Sequence, residues 1–149
     1  MGDLLQPWHL IVLLLVSGIF LVPAIFYLLT LQNVLIRCAP ASRTMEPGMV
    51  WLSLIPFFNL IWNFFVVMGI AKSLGNEYVR RGMPSPEPAP GQSIGLAMSI
   101  CMCCCIIPLL GALTGLVAFV LWILYWIKVA EYSRRLDLPH AAVPIPPRA

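Results

Sequence analysis

Apolar residues in this chain come in unbroken runs rather than in alternation or on one helical face. No charged residue occurs over the forty positions from Pro88 to Ile127. One α-helix crosses a hydrocarbon core of ~30 Å in roughly 20 residues. The run therefore predicts two membrane helices joined by a tight turn at Pro108 and Gly111. Two more uncharged runs lie between Asp3 and Arg37 and from Met49 to Ala71. Together they predict an all-α integral membrane bundle of four transmembrane helices, at about 8–36, 56–74, 93–107 and 113–131. Pro23 falls inside the first and predicts a kink. Pro56 either kinks the second or stands at its first position, after a short interfacial piece from Met49 to Ile55.

The polar segments divide the chain. Residues 1–82 read as a first hairpin, its second helix continuing into water as far as Arg81. Residues 83–91 carry proline at every second position and read as an extended cytoplasmic linker. Residues 92–136 read as a second hairpin, and 137–149 as a proline-rich disordered tail. Glu77-Tyr78-Val79-Arg80-Arg81 recurs as Glu131-Tyr132-Ser133-Arg134-Arg135. Upstream, Leu54-Ile55-Pro56-Phe57-Phe58-Asn59 corresponds to Ile106-Ile107-Pro108-Leu109-Leu110-Gly111. A parallel duplication accounts for this, and so do the shared demands of two helix ends at one membrane face.

Composition narrows the class. Of 149 residues, 60% are hydrophobic and 10% charged, against roughly 25% charged in soluble domains. Mean hydropathy is +0.91. The net charge of +3 is small, and the basic residues flank apolar runs, so nucleic acid is not an expected partner. Asp3 and the lack of Lys or Arg before Trp8 speak against a removable signal. Lys72, Arg80, Arg81, Lys128, Arg134, Arg135 and Arg148 fall on the linker side, Arg37 and Arg43 opposite. The positive-inside rule then puts both termini in the cytoplasm. Arg80, Arg81, Lys128, Arg134 and Arg135 are expected among lipid headgroups, at roughly 1 kcal/mol each.

Candidate chemistry is sparse. Cys101, Cys104 and Cys105 share a helix face while Cys103 points away. One helix does not converge four thiolates on one metal, so packing is preferred to a metal or redox site. His9 is the single histidine near the bilayer. An interfacial hydrogen bond is preferred to a cofactor-ligating role. Asn59 and Asn63, four apart, are expected to hydrogen-bond across helices, and Gly111 and Gly115 to allow close helix packing. No nucleophile–base pair, phosphate loop or carboxylate pair is present, so no catalytic residues, cofactor or enzyme activity are expected.

The stretches Pro47-Gly48-Met49-Val50-Trp51, Ile55-Pro56-Phe57-Phe58-Asn59-Leu60-Ile61-Trp62 and Ala71-Lys72-Ser73-Leu74 resemble small bacterial membrane proteins of unknown function. Ile107-Pro108-Leu109-Leu110-Gly111 and Tyr132-Ser133-Arg134-Arg135 extend the resemblance over about residues 45–136. It implies a few-helix module of a bacterial cytoplasmic membrane, attached in some relatives to a soluble domain, and it imports no activity. The expected function is a non-enzymatic accessory or scaffolding subunit that binds lipid, other membrane proteins or its own copies. The alternatives are a small oligomeric transporter or channel, and a redox- or cofactor-linked subunit.

Overall fold

The computed structural model describes residues 6–107 and 111–137, and among them every regular element is helical. In chain order these are α1 (Pro7–Arg37), a 3-10 helix (Pro47–Leu54), α2 (Pro56–Arg80), α3 (Gln92–Cys104) and α4 (Gly111–Arg135). Pro108 and the tail from residue 138 lie outside the described residues. α1 begins on Pro7 and continues as helix through Pro23. α2 begins on Pro56, where a fixed φ and a missing N–H suit a first turn. It stops at Gly82, whose φ of +64° lets the Met83 amide bond back to the Tyr78 carbonyl at 2.9 Å.

The chain between α1 and α2 decides the architecture. Arg43 ends α1: its Nε donates to the carbonyls of Leu35 and Cys38 at 2.7 and 2.9 Å, and its Nη2 to that of Ile36 at 2.9 Å. A cation on unpaired C-terminal carbonyls also complements the helix dipole. The chain then runs back along α2. The Ala39 amide donates to Glu77 Oε2 at 3.0 Å, Thr44 Oγ1 to the Gly69 carbonyl at 2.9 Å, and Trp62 Nε1 to the Met49 carbonyl at 3.0 Å. The partners on α2 step from 77 to 69 to 62 as the segment advances, so it is antiparallel to α2 over most of that helix.

α3 is antiparallel to α2 as well, with Asn63 on Ser99 and Leu60 on Cys103. α4 runs alongside α1 in the same direction: Trp126 Nε1 donates to Thr30 Oγ1 at 2.9 Å and Arg37 pairs with Asp137 at 2.6 Å. The C-terminal ends of α1, α2 and α4 therefore meet, and α1 begins at the other end of the bundle. This corrects the expected first hairpin, which put Arg37 and Arg43 opposite Arg80, Arg81, Arg134 and Arg135. Residues 38–46 do not turn straight into α2, because their polar groups find partners on it from Glu77 back to Gly69.

The core sits toward this arginine-rich end. Leu35, Val66, Ile70, Leu74 and Val129 have no exposed surface there. Two described helices, Phe57–Arg80 and Gly111–Arg135, are long and apolar enough to cross a membrane, with mean hydropathies of 1.5 and 2.0. Only 17% of the α4 window is buried inside the protein, unlike the core helix of a soluble domain. α3, with 13 residues, reaches about 20 Å.

Candidate functional site

At the arginine-rich end a carboxylate ties three helices together. The Glu77 side chain has no exposed surface and pairs with Arg80 at 2.5 Å and Arg81 at 2.6 Å. Arg81 also donates from Nη1 to the Leu136 carbonyl at 2.6 Å and from Nη2 to the Arg37 carbonyl at 3.2 Å. Tyr78 donates its hydroxyl to the Tyr132 carbonyl at 2.9 Å. The second copy of the motif is used differently. Glu131 pairs with Arg135 on the surface, each about half exposed, and Tyr132 donates to Glu87 Oε1 at 2.9 Å.

Glu87 is the linker residue that sequence reasoning passed over. It pairs with Lys128 and accepts the Gly91 amide at 3.1 Å, so it clamps the proline linker to α4 and caps α3. Lys128 beside it, then the Gly91 amide, hold its carboxyl below the usual range. Its signal in the sequence is its position, as the one carboxylate in the linker, four residues before the glycine that opens α3. Of the five basic residues expected among headgroups, Arg80, Arg81, Lys128 and Arg135 thus make internal ion pairs. Arg134 lines a cleft of about 650 Å³ between α1 and α4, with Thr30, Asn33 and Arg37.

The other half of the bundle holds a second cavity of about 650 Å³ among α1, the 3-10 helix and α2 to α4. Its walls are mostly apolar: Ile19, Leu28, Leu60, Met98, Met102, Phe119 and Trp122 contribute. Among the described residues no charged side chain lines it. Tyr27, Ser53 and Asn59 also line it, and Tyr27 Oη, Ser53 Oγ and Asn59 Oδ1 are buried without a hydrogen-bond partner. Pro23, also in the wall, withholds the donor that the Ile19 carbonyl would otherwise receive.

The two asparagines thus differ. Asn63 Nδ2 donates to Ser99 Oγ at 2.8 Å, from α2 to α3, whereas Asn59 faces the problem of an unmatched oxygen. Gly111 packs where an added Cβ would meet the Cys105 carbonyl at 2.8 Å, and Gly115 lies beside the Cys105 sulfur, so both serve the α3–α4 junction. The tightest crossing is at Gly95, where a Cβ would meet Val67 Cγ1 at 2.5 Å and Tyr125 Cε2 at 2.8 Å. All five cysteines are free thiols. Cys105 donates to the Cys101 carbonyl and Cys103 to that of Leu60. Among the described residues no three of His, Cys, Asp and Glu converge on a metal-sized site, because thiols on one short helix fan outward. His9 stacks on Trp8 with ring centroids 3.6 Å apart.

No family model matches this chain, and no curated protein or solved structure is significantly similar to it.

Proposed function

We propose that this chain is a multi-pass protein of a bacterial cytoplasmic membrane, a non-enzymatic accessory module that binds lipid or other membrane proteins. The observation that carries the reading is the segregation of basic charge; Glu46, exposed beside the middle of α2, is the acidic exception among the described residues. Arg37, Arg43, Lys72, Arg80, Arg81, Lys128, Arg134 and Arg135 all belong to one end of the bundle. Elsewhere Phe57 is 88% exposed and Ile19, Ile61 and Leu113 about two-thirds exposed. In water each such side chain forgoes roughly 1.5–3 kcal/mol of burial; in hydrocarbon it forgoes nothing. Basic side chains at one end suit an anionic cytoplasmic leaflet.

In this reading α1, α2 and α4 run toward the cytoplasm, while α3 and the return segment run away from it. The start of α1 is then extracytoplasmic and the end of α4 cytoplasmic, in place of two cytoplasmic termini. Non-α backbone at membrane depth is tolerated where protein covers it. Val50, fully buried, and the Trp62 bond to the Met49 carbonyl support that cover. The return segment with α2, and α3 with α4, form two antiparallel pairs that each end on Glu-Tyr-x-Arg-Arg. This supports a duplication with α1 added outside it.

Cysteine accessibility in oriented vesicles tests this, on a background with the native cysteines replaced. Gln6→Cys should label only from the extracytoplasmic side and Ser85→Cys only from the cytoplasmic side. Labelling of both from one side would overturn the layout. Release of the protein into the aqueous phase by alkaline carbonate would overturn the membrane reading.

A further inference from the structure

We infer that the cavity among the helices binds a neutral single-chain amphiphile with a hydroxyl headgroup, taken from the leaflet opposite the arginine-rich end. The inference rests on the membrane reading above. Three observations carry it: the size and lining of the cavity, the unpartnered polar atoms in its wall, and its depth.

Its volume of about 650 Å³ lies in the range of roughly 300–1,000 Å³ typical of small-molecule sites. Met98 and Met102 give an adaptable wall. With no charged side chain among the described residues of the lining, an ionised headgroup would lose its water and gain no counter-charge from them. The guest is therefore neutral.

Native proteins leave few buried polar atoms unpaired. Here Tyr27, 94% buried by its 6% exposure, has an unpartnered hydroxyl, and Ser53 Oγ and Asn59 Oδ1 are likewise unpartnered. Ser53 and Asn59 come from the 3-10 helix and the first turn of α2, while Tyr27 lies on α1, ten residues before its end, packed on Trp122 and Trp126. Asn59 Oδ1 can only accept, while the Tyr27 and Ser53 hydroxyls can donate. A guest hydroxyl serves both, since it donates and accepts. A quinone carbonyl or an ester only accepts, and leaves Asn59 unmatched.

Asn59 lies 21 residues before the end of α2 and Gly115 lies 20 before the end of α4. Those helices begin at Pro56 and Gly111, so at 1.5 Å per residue Asn59 and Gly115 lie about 4–6 Å from the helix ends opposite the arginine-rich end. Asn59 is thus near the far membrane interface, where hydroxyl headgroups reside, and the apolar wall leads inward from it toward Tyr27, ten residues before the end of α1.

The test uses the full chain in phosphatidylcholine nanodiscs with a photoreactive diazirine dodecanol as probe. Saturable labelling of cavity residues such as Met98 and Met102 is expected, competed by plain dodecanol. Dodecanoate at pH 8 and a short-chain ubiquinone should compete at least about tenfold less well. Asn59→Leu with Ser53→Ala should cut saturable labelling at least about tenfold while the empty protein unfolds at a higher temperature. Tyr27→Phe is the second variant, if the first does not fold. Labelling that does not saturate, stays on bilayer-facing residues such as Phe57 and Ile61, or is unchanged in both variants overturns the site alone, and leaves water or nothing as the occupant. A chain that does not enter nanodiscs overturns the membrane reading, and the site with it.

Discussion

Glu77 and Glu131 occupy the same place in the same five-residue motif, yet their replacements should have very different costs. Glu77→Gln leaves Arg81 (25% exposed) facing a neutral amide in place of a carboxylate whose own side chain is fully buried. It also weakens the bond that holds the Ala39 amide, and with it the start of the return segment. Removing one member of a buried pair costs about 3–5 kcal/mol. Arg81 keeps its bonds to two helix-terminal carbonyls and some access to solvent, so the low end applies, about 3 kcal/mol. For a chain of this size that is a fall of about 6–12 °C in unfolding midpoint. Glu131 is 52% exposed and touches one arginine of its own helix, so Glu131→Gln should cost about 0.5 kcal/mol or less. Thermal unfolding of both variants in a mild detergent measures the difference. A double-mutant cycle of Glu77→Gln with Arg81→Gln should show a coupling above about 1 kcal/mol. Equal midpoints for the Glu77 and Glu131 variants, or no coupling, would refute the claim that Glu77 fastens the three helix ends.

Gly95→Ala should destabilise by about 1–3 kcal/mol through overpacking, since a Cβ has 2.5 Å to the nearest Val67 carbon, whereas Gly18→Ala meets nothing within 4 Å and should be neutral or stabilising in the same melts. Asn63→Leu should cost about 1 kcal/mol, because Ser99 retains its bond to the Gly95 carbonyl; an unchanged midpoint would count against the cross-helix bond. Burial, with Glu77 nearby, pushes the Cys38 thiol up to about 11 from 9.0. At pH 8 its thiolate fraction falls from about a tenth to about a thousandth, so maleimide should modify Cys38 at least about a hundredfold more slowly in the folded protein than after denaturation. Glu87 has its carboxyl held low, so its contribution is present above the unfolded carboxylate pKa and is lost as pH falls through the lowered folded value. Glu87→Gln should therefore unfold at a lower temperature than the parent at pH 7, and the gap should close as the pH is lowered below the usual carboxylate range.

The helices are legible from local chemistry. Long uncharged runs, broken by Pro56, by the proline series from Pro84 to Pro90 and by Gly82, predict the number and rough extent of the α-helices, because propensity and the missing proline N–H act within a few residues. The expected Asn63 partner and the Gly111 packing site follow from the same reasoning: a polar amide or a bare Cα in an apolar helix has few other uses. Glu87 and Gly95 were harder. Each has an unremarkable neighbourhood in the chain and acquires its role from residues that approach from α4 and α2.

The direction of the path between α1 and α2 has no local determinant. It depends on Ala39 meeting Glu77 and Thr44 meeting Gly69, contacts 38 and 25 residues apart, and on Arg43 folding back over the end of α1. An arginine reads identically in the chain whether it caps a helix, neutralises a buried carboxylate or faces a headgroup. Two copies of one motif likewise gave no sign that Glu77 would be enclosed and Glu131 left at the surface. The cavity is the same kind of feature: it is the space five elements fail to fill, and its volume and unpaired oxygens come into being only when those elements are set side by side. Short-range torsional and solvation preferences write themselves into sequence; the pairing of distant polar groups, and the gaps left between packed surfaces, do not.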